Sequence, residues 1–434
     1  MVSPKLAPDP NALTVSGERR SSFHAWRHRD YRLMWVGQLI SVTGSQMQWV
    51  AINWHVYLLT RSALALGTVG LVRVVPIILC SLLGGVVADA VDRKRLILAT
   101  QLVMLASAGT LSSITASGMQ SIWPIYLLTA ISSAAVAFEA PARQALLPAL
   151  VPAEDFQNAV SLYLIVFHVS MIAGPAIAGL LLSSHSPALI YAVNAASFLA
   201  VIIAIMLIRA SGRANASGEE ASRVSFGALR EGLSFVWRTP IIVQTMTLDF
   251  IATFFASATA LLPIFATEIL GGGARALGIL ASAPAMGSVL TALVMARLGA
   301  LRRQGAIVIG AVAVYGAATV AFGLSRVFWF SLLMLALMGS ADTVSTVLRQ
   351  TIRQLSTPNS LRGRMTSVNM IFFMGGPQLG ELEAGVVATL TGSAAISVVT
   401  GGVACIVAVV LAALLAKSLL SYQGTPEREA TGTQ

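Results

Sequence analysis

Apolar residues along this chain are grouped in long blocks, not spaced to line one face of a surface helix. Val74 to Ala88 is one such block, interrupted only by Pro76, Ser81 and two glycines. A lipid-spanning helix takes about twenty mostly apolar residues. Only helices and closed barrels satisfy their backbone groups in lipid, and barrel strands would show alternation over about ten residues. Runs of Leu, Ala, Val and Ile therefore predict helices, at 32–58, 64–89, 96–116, 121–146, 158–183 and 187–209. A second set follows at 240–269, 276–298, 304–324, 327–350, 364–390 and 394–417. Between the sets, Ala210 to Arg223 is hydrophilic, and Ser225 to Arg238 has the pattern of an amphipathic helix lying on a membrane surface. The expected fold is an all-α membrane protein of twelve transmembrane helices in two six-helix bundles. The expected units are an N-terminal tail (1–31), a first bundle (32–209), a connector (210–239), a second bundle (240–418) and a C-terminal tail (419–434).

Composition agrees: 56% of the 434 residues are hydrophobic and 11% charged, with a mean hydropathy of +0.79, where a soluble domain carries roughly a quarter charged residues. The net charge of +10 comes from loops. With the N-terminus inside, 24 of the 28 Lys and Arg residues fall in cytoplasmic segments. Arg61, Arg275 and Arg326 fall outside, and Arg73 lies within a helix. Cytoplasmic loops are expected to hold such an excess, and a missed span would scramble it, so both termini are expected in the cytoplasm. The basic residues form no stripe with interleaved aromatics, which argues against a nucleic-acid partner. The N-terminus has no signal-peptide core. Cys80 and Cys405 sit in apolar runs without ligand-spaced neighbours.

The chain repeats itself. Shifted by 206 residues, 143–179 matches 349–385 at nine ungapped positions, among them Arg143/Arg349, Gln144/Gln350, Phe167/Phe373, Gly174/Gly380 and Gly179/Gly385. Two bundles of the same orientation follow, as in duplicated transporters. Between helices 2 and 3 runs Gly84-Gly85-Val-Val-Ala-Asp89-Ala-Val-Asp92-Arg93-Lys94-Arg95. Its glycines permit close helix packing, Asp89 suits a helix N-terminus, and the basic cluster suits anionic headgroups. This run resembles the signature loop of the major facilitator superfamily. Gly174-Pro175-Ala-Ile-Ala-Gly179 is similar to the Gly-Pro motif of drug/proton antiporters. The opening from Trp26 to Gln38, with Leu58 to Ala63, resembles the branch of enterobactin exporters and macrolide efflux proteins. The resemblance implies a central cavity lined by helices 1, 4, 7 and 10, and a seam formed by helices 2, 5, 8 and 11.

Ionisable residues inside membrane helices are costly and mark functional candidates. Asp249, about 14 Å into helix 7 at 1.5 Å per residue, heads the proton-coupling candidates, with Asp342 and Glu139. A carboxylate holds its proton more readily in an apolar site than when open to water, which suits a coupling device; Thr245 and Thr253 are the polar neighbours that would satisfy Asp249 in a purely structural role. Glu139 lies four residues before Arg143 and is placed for a local pair. Gating candidates are Arg73 with Glu381 at one mouth, and Asp89 with Arg93 at the other. Gln38, Gln46, Trp49 and Asn53 of helix 1 are the substrate-cavity candidates.

No phosphate-binding loop, HExxH, GxSxG or metal cluster is present in the sequence. The expectation is a secondary transporter, not an enzyme. It needs no cofactor, draws on the proton gradient and exports a siderophore or drug-like compound from the cytoplasmic (inner) membrane, as a monomer whose partners are its small-molecule substrate and the lipid bilayer. A proton-coupled metabolite importer is the near alternative. A lipid flippase and a non-transporting sensor are further ones.

Overall fold

The computed structural model describes residues 24–118, 120–212, 233–299, 301–358, 361–415 and 417–422. The tails before residue 24 and after 422, and connector residues 213–232, lie outside the described part. Of the surface helix expected at 225–238, residues 233–238 are described, and they are helical.

Twelve long helical segments follow one another: α1 (Arg29–Thr60), α2 (Ala63–Ala90), α3 (Arg93–Ala116), α4 (Trp123–Leu146), α5 (Phe156–Leu182), α6 (Pro187–Leu207), α7 (Pro240–Phe255, resumed at Thr259–Ile269), α8 (Gly273–Leu298), α9 (Gln304–Leu324), α10 (Phe328–Leu355), α11 (Arg362–Thr391) and α12 (Ala394–Leu415). Ten are long and apolar enough to cross a membrane. The other two, α1 and α11, have 32 and 30 residues. Both pack along neighbouring helices, α1 on α5 and α6, and α11 on α2, α7 and α12. No strand occurs among the described residues.

Local chemistry sets the helix ends. Ser62 caps α2 by accepting from the Ala65 amide at 3.3 Å. Asp92 caps α3 by accepting from the amides of Lys94 and Arg95 at 2.9 and 3.2 Å, the favoured N-cap chemistry. Asp30 accepts from the amides of Arg209 and Ala210, both at 2.9 Å, and ties the chain leaving α6 to the start of α1. Trp123 and Trp329 stand exposed at the starts of α4 and α10, where aromatic rings anchor at membrane interfaces.

Helix α7 departs from the expected continuous 240–269. It stops at Phe255, resumes as a 3-10 turn at Thr259–Leu261, and ends in a π-helical turn at Phe265–Ile269. Pro263 has no amide to return to the Thr259 carbonyl. The freed Ala256 carbonyl is met by Tyr315 Oη at 3.3 Å, and Ser257 Oγ donates to the Pro377 carbonyl at 3.3 Å. Helix α10 also differs: it runs to Leu355, five residues past the expected end.

The two sets of six meet at α2 against α11 and α5 against α8. Both contacts concentrate at the end of the bundle where α1 passes to α2, called here the far end; the other is the terminal end. Without a hydrophobic drive between helices in lipid, close backbone approach does the work. Gly179 and Gly278 face each other so closely that a methyl group on Gly278 would sit 2.5 Å from the Pro175 carbonyl oxygen. Gly278→Val is expected to cost about 1–3 kcal/mol through this overpacking, read as a lowered thermal midpoint of the purified protein. Gly109→Ala, where no neighbour lies within 4 Å, should leave the midpoint unchanged.

Candidate functional site

Two repeat-related arginines organise the polar interior. Arg143, on the last turn of α4, donates to Glu139 Oε1 at 2.8 Å and to Gln38 Oε1 of α1 at 2.9 Å. The other Glu139 oxygen accepts from Gln101 Nε2 of α3 at 3.0 Å. Glu139 is buried and fully bonded, an arrangement that binds three helices together.

Arg349 of α10 is 1% exposed. Its Nη2 lies 2.8 Å from Asp249 Oδ1 of α7 and 3.8 Å from Asp342 Oδ1, and Arg353 Nη1 lies 3.9 Å from Asp249 Oδ2. Asp249 is also buried, whereas the Asp342 side chain is 48% exposed. Asp342 and Arg349 are seven residues apart, hence on one face of α10, the face turned to α7. Asp342 is thus the open end of a buried chain of charges. Thr253, expected beside Asp249, gives its hydroxyl to the Asp249 backbone carbonyl at 2.8 Å; Thr245 turns to the Ile242 carbonyl.

Sequence reading had counted Arg349 and Arg353 among the cytoplasmic charges. Helix α10 carries Arg349 inside the expected span and Arg353 beyond it, and both side chains are buried. A signal was available, since the repeat aligns Arg349 with Arg143. Each of the two reaches the first helix of its own bundle.

Among the substrate-cavity candidates, Gln38, Trp49 and Asn53 share one face of α1. Gln46, seven residues before Asn53 and on its side of α1, packs on α5, where a methyl group on Gly174 would meet the Gln46 Cβ at 2.5 Å.

At the far end, Glu381 of α11 lies against α2. A methyl group on Gly70 would come within 2.6 Å of Glu381 Oε2, and Glu381 Oε1 accepts from Thr259 at 3.3 Å. Arg73, one turn beyond Gly70, interacts electrostatically with Glu381; no direct ion pair joins them among the described residues. A second polar link there escaped sequence reading. Tyr57 Oη of α1 donates to Glu268 Oε1 of α7 at 2.8 Å, and receives from Arg61 Nη1 at 2.6 Å. At the terminal end, Arg93 Nη1 donates to the Ala145 carbonyl at the end of α4 at 2.9 Å. The Asp89 side chain lies outside the described part. No cluster fit to hold a metal ion occurs among the described residues.

This architecture has counterparts among known proteins. Residues 20–425 match the family described as transmembrane secretion effector. The chain belongs to that family. It is accordingly a multi-pass membrane transporter of the major facilitator superfamily, as the signature loop between α2 and α3 suggested. Two relatives of this secretion-effector chain span most of its length. It is 24% identical to the multidrug efflux pump Tap of Mycolicibacterium fortuitum, over 82% of this chain and 88% of that one. It is also 24% identical to the enterobactin exporter EntS of Salmonella choleraesuis, over 92% and 95%. Its fold matches the crystal structure of a bacterial homologue of the iron transporter ferroportin in the inward-facing state. The TM-score is 0.67 at 14% identity, covering 91% of this chain and 99% of that one.

The ion-pair chain makes a quantitative prediction. Removing one partner of a buried pair leaves the other uncompensated, at a cost of about 3–5 kcal/mol. Asp249→Leu should destabilise the protein on that scale. The double variant with Arg349→Met should recover most of the loss, read as unfolding midpoints of the purified proteins.

Proposed function

We propose that this transporter exports a small amphiphilic organic molecule from the cytoplasm by proton antiport, through alternating access of two bundles (32–209 and 240–418) joined by the 210–239 connector. The observation that carries the reading is one guanidinium, Arg349, held between a buried carboxylate and a half-exposed one. A proton arriving on Asp342 neutralises the open member and leaves Arg349 wholly to Asp249. Loss of that proton returns the shared arrangement. Charge redistributes without any ion leaving the bundle, which keeps the burial cost low in both states.

Direction follows from similarity: Tap is named as an efflux pump and EntS as an enterobactin exporter. With both termini cytoplasmic and all twelve helices crossing the inner membrane, the far end becomes the outer face. Tyr57–Glu268, Arg73 with Glu381, and the Gly179–Gly278 contact then close the outer mouth, and the described conformation faces inward. Asp89 and Arg93 would close the inner mouth in the alternate state; Arg93 lies beside the end of α4. The broken α7 gives its 259–269 segment freedom to follow α1 and α2 as the outer mouth opens.

The deciding experiment is flux in proteoliposomes with an imposed pH gradient, screened against siderophores and antibiotics. Asp342→Asn should abolish gradient-driven accumulation while preserving downhill exchange. Accumulation by Asp342→Asn equal to wild type would defeat the coupling assignment. Uptake confined to inverted vesicles means export, and uptake confined to right-side-out vesicles means import. A sensor would show no gradient-driven flux at all.

Two structural tests accompany it. Arg73→Glu and Glu381→Arg should each lose transport, and their combination should regain it. A thiol introduced at Ser217 in a background lacking Cys80 and Cys405 should react with a membrane-impermeant reagent only from the cytoplasmic side.

A further inference from the structure

Helices α2 and α3 both pack on α4 but barely touch each other. Near the far end, the three helices enclose a cleft of about 890 Å³, within the roughly 300–1,000 Å³ of small-molecule sites. Its wall runs along α2 from Thr68 to Pro76, meets Thr110 and Ile114 of α3, and lies between Trp123 and Ala130 on α4. That wall presents carbon almost throughout. Two hydroxyls that could have broken it are turned elsewhere. Thr68 Oγ1 donates to the Leu64 carbonyl at 2.8 Å, and Tyr126 Oη to the Ala65 carbonyl at 2.8 Å. Pro76 has no amide to return to the Val72 carbonyl, so α2 bends most easily where it lines the cleft.

Depth and length decide the occupant. Thr68 to Pro76 is about 12 Å along α2, less than half of a hydrocarbon core about 30 Å thick. The cleft therefore lies within one leaflet. Trp123, exposed at the start of α4, lines its outer rim, at the level where indoles anchor. A partner helix would need a groove along most of the span, and this one is too short. A water-soluble ligand would find almost no polar atom to orient it. A single flexible hydrocarbon chain, entering from the headgroup side, meets neither limit.

We infer that this cleft seats one acyl chain of a membrane phospholipid from the far-end leaflet. Seated there, the chain backs α2 against the seam. Gly67 and Gly70 of α2 face α11, while Val75 of the cleft is five residues from Gly70, about 140° around the helix. Helix α2 is thus held between a lipid chain on one side and α11 on the other. The inference does not depend on the transport reading.

The test uses the full-length protein in vesicles of phosphatidylethanolamine and phosphatidylglycerol. A trace of the phosphatidylethanolamine carries a diazirine midway along one chain. After irradiation, adducts are mapped by peptide mass spectrometry. Yields are compared at Leu71, in the cleft, and at Val403 of α12, which is 47% exposed at a like depth from the far end. Leu71 is the less exposed of the two, so bulk lipid alone would label Val403 more. The expected result in wild type is an excess of adduct at Leu71. Ala130→Phe and Val75→Trp fill the cleft from α4 and from α2. Each should abolish the excess and leave the yield at Val403 unchanged. A wild-type yield at Leu71 no higher than at Val403 overturns the inference, and so does an excess that survives either filling. Should neither variant fold, the wild-type comparison decides alone.

Discussion

Arg349 keeps its charge almost wholly out of solvent, in the last third of a helix surrounded by apolar residues. A lone guanidinium in that position would cost far more than a helix contact returns. It is tolerable because Asp249 approaches to 2.8 Å from α7 and Asp342 to 3.8 Å from its own helix. Helices α7 and α10 therefore have little freedom at that depth: whatever else moves, Asp249 must stay with Arg349. The break in α7 comes after this anchor. Pro240–Phe255 carries Asp249, while Thr259–Ile269 carries the far-end contacts with Glu381 and Tyr57. One helix thus holds a fixed electrostatic station and a separately oriented arm.

The seam is built on the opposite principle. Gly67, Gly70, Gly179 and Gly278 let backbones touch, and the polar links there are few and partly exposed. Close packing of small residues is worth little per contact in lipid, so such a seam can part and reform. Strong bonds lie inside each bundle and weak ones between them. That distribution is what a rocking pair of bundles needs, since the bundles survive the motion and only the seam is remade.

Much of this was legible in the sequence. Lipid admits only helices of a given length, so apolar blocks located the spans to within a few residues. Ser62 and Asp92 mark starts that any propensity argument finds. The repeat at 143–179 and 349–385 told of duplication. What stayed hidden depends on side chains from distant segments. Arg353 falls past the expected end of α10 because hydropathy drops there, yet a helix with buried ion pairs is polar at that point for an internal reason. The α7 break was masked because Ala256–Ala258 is as apolar as its flanks, and only Pro263 hinted at it. Tyr57 and Glu268 are 211 residues apart, and no local pattern joins them.

The two bundles also divide the chemistry. On the repeat-related arginines, the first bundle closes its charges locally: Glu139 is saturated by Arg143 and Gln101, and α1 is left with neutral amide and indole groups. The second bundle leaves Asp342 open at the end of a charge chain. Both bundles carry the repeat-related arginine, and they differ in where its carboxylates sit. Glu139 sits one turn before Arg143 on the same helix, whereas Asp249 sits on a different helix from Arg349. The first placement ties one helix to itself, and the second links two helices through a buried ion pair.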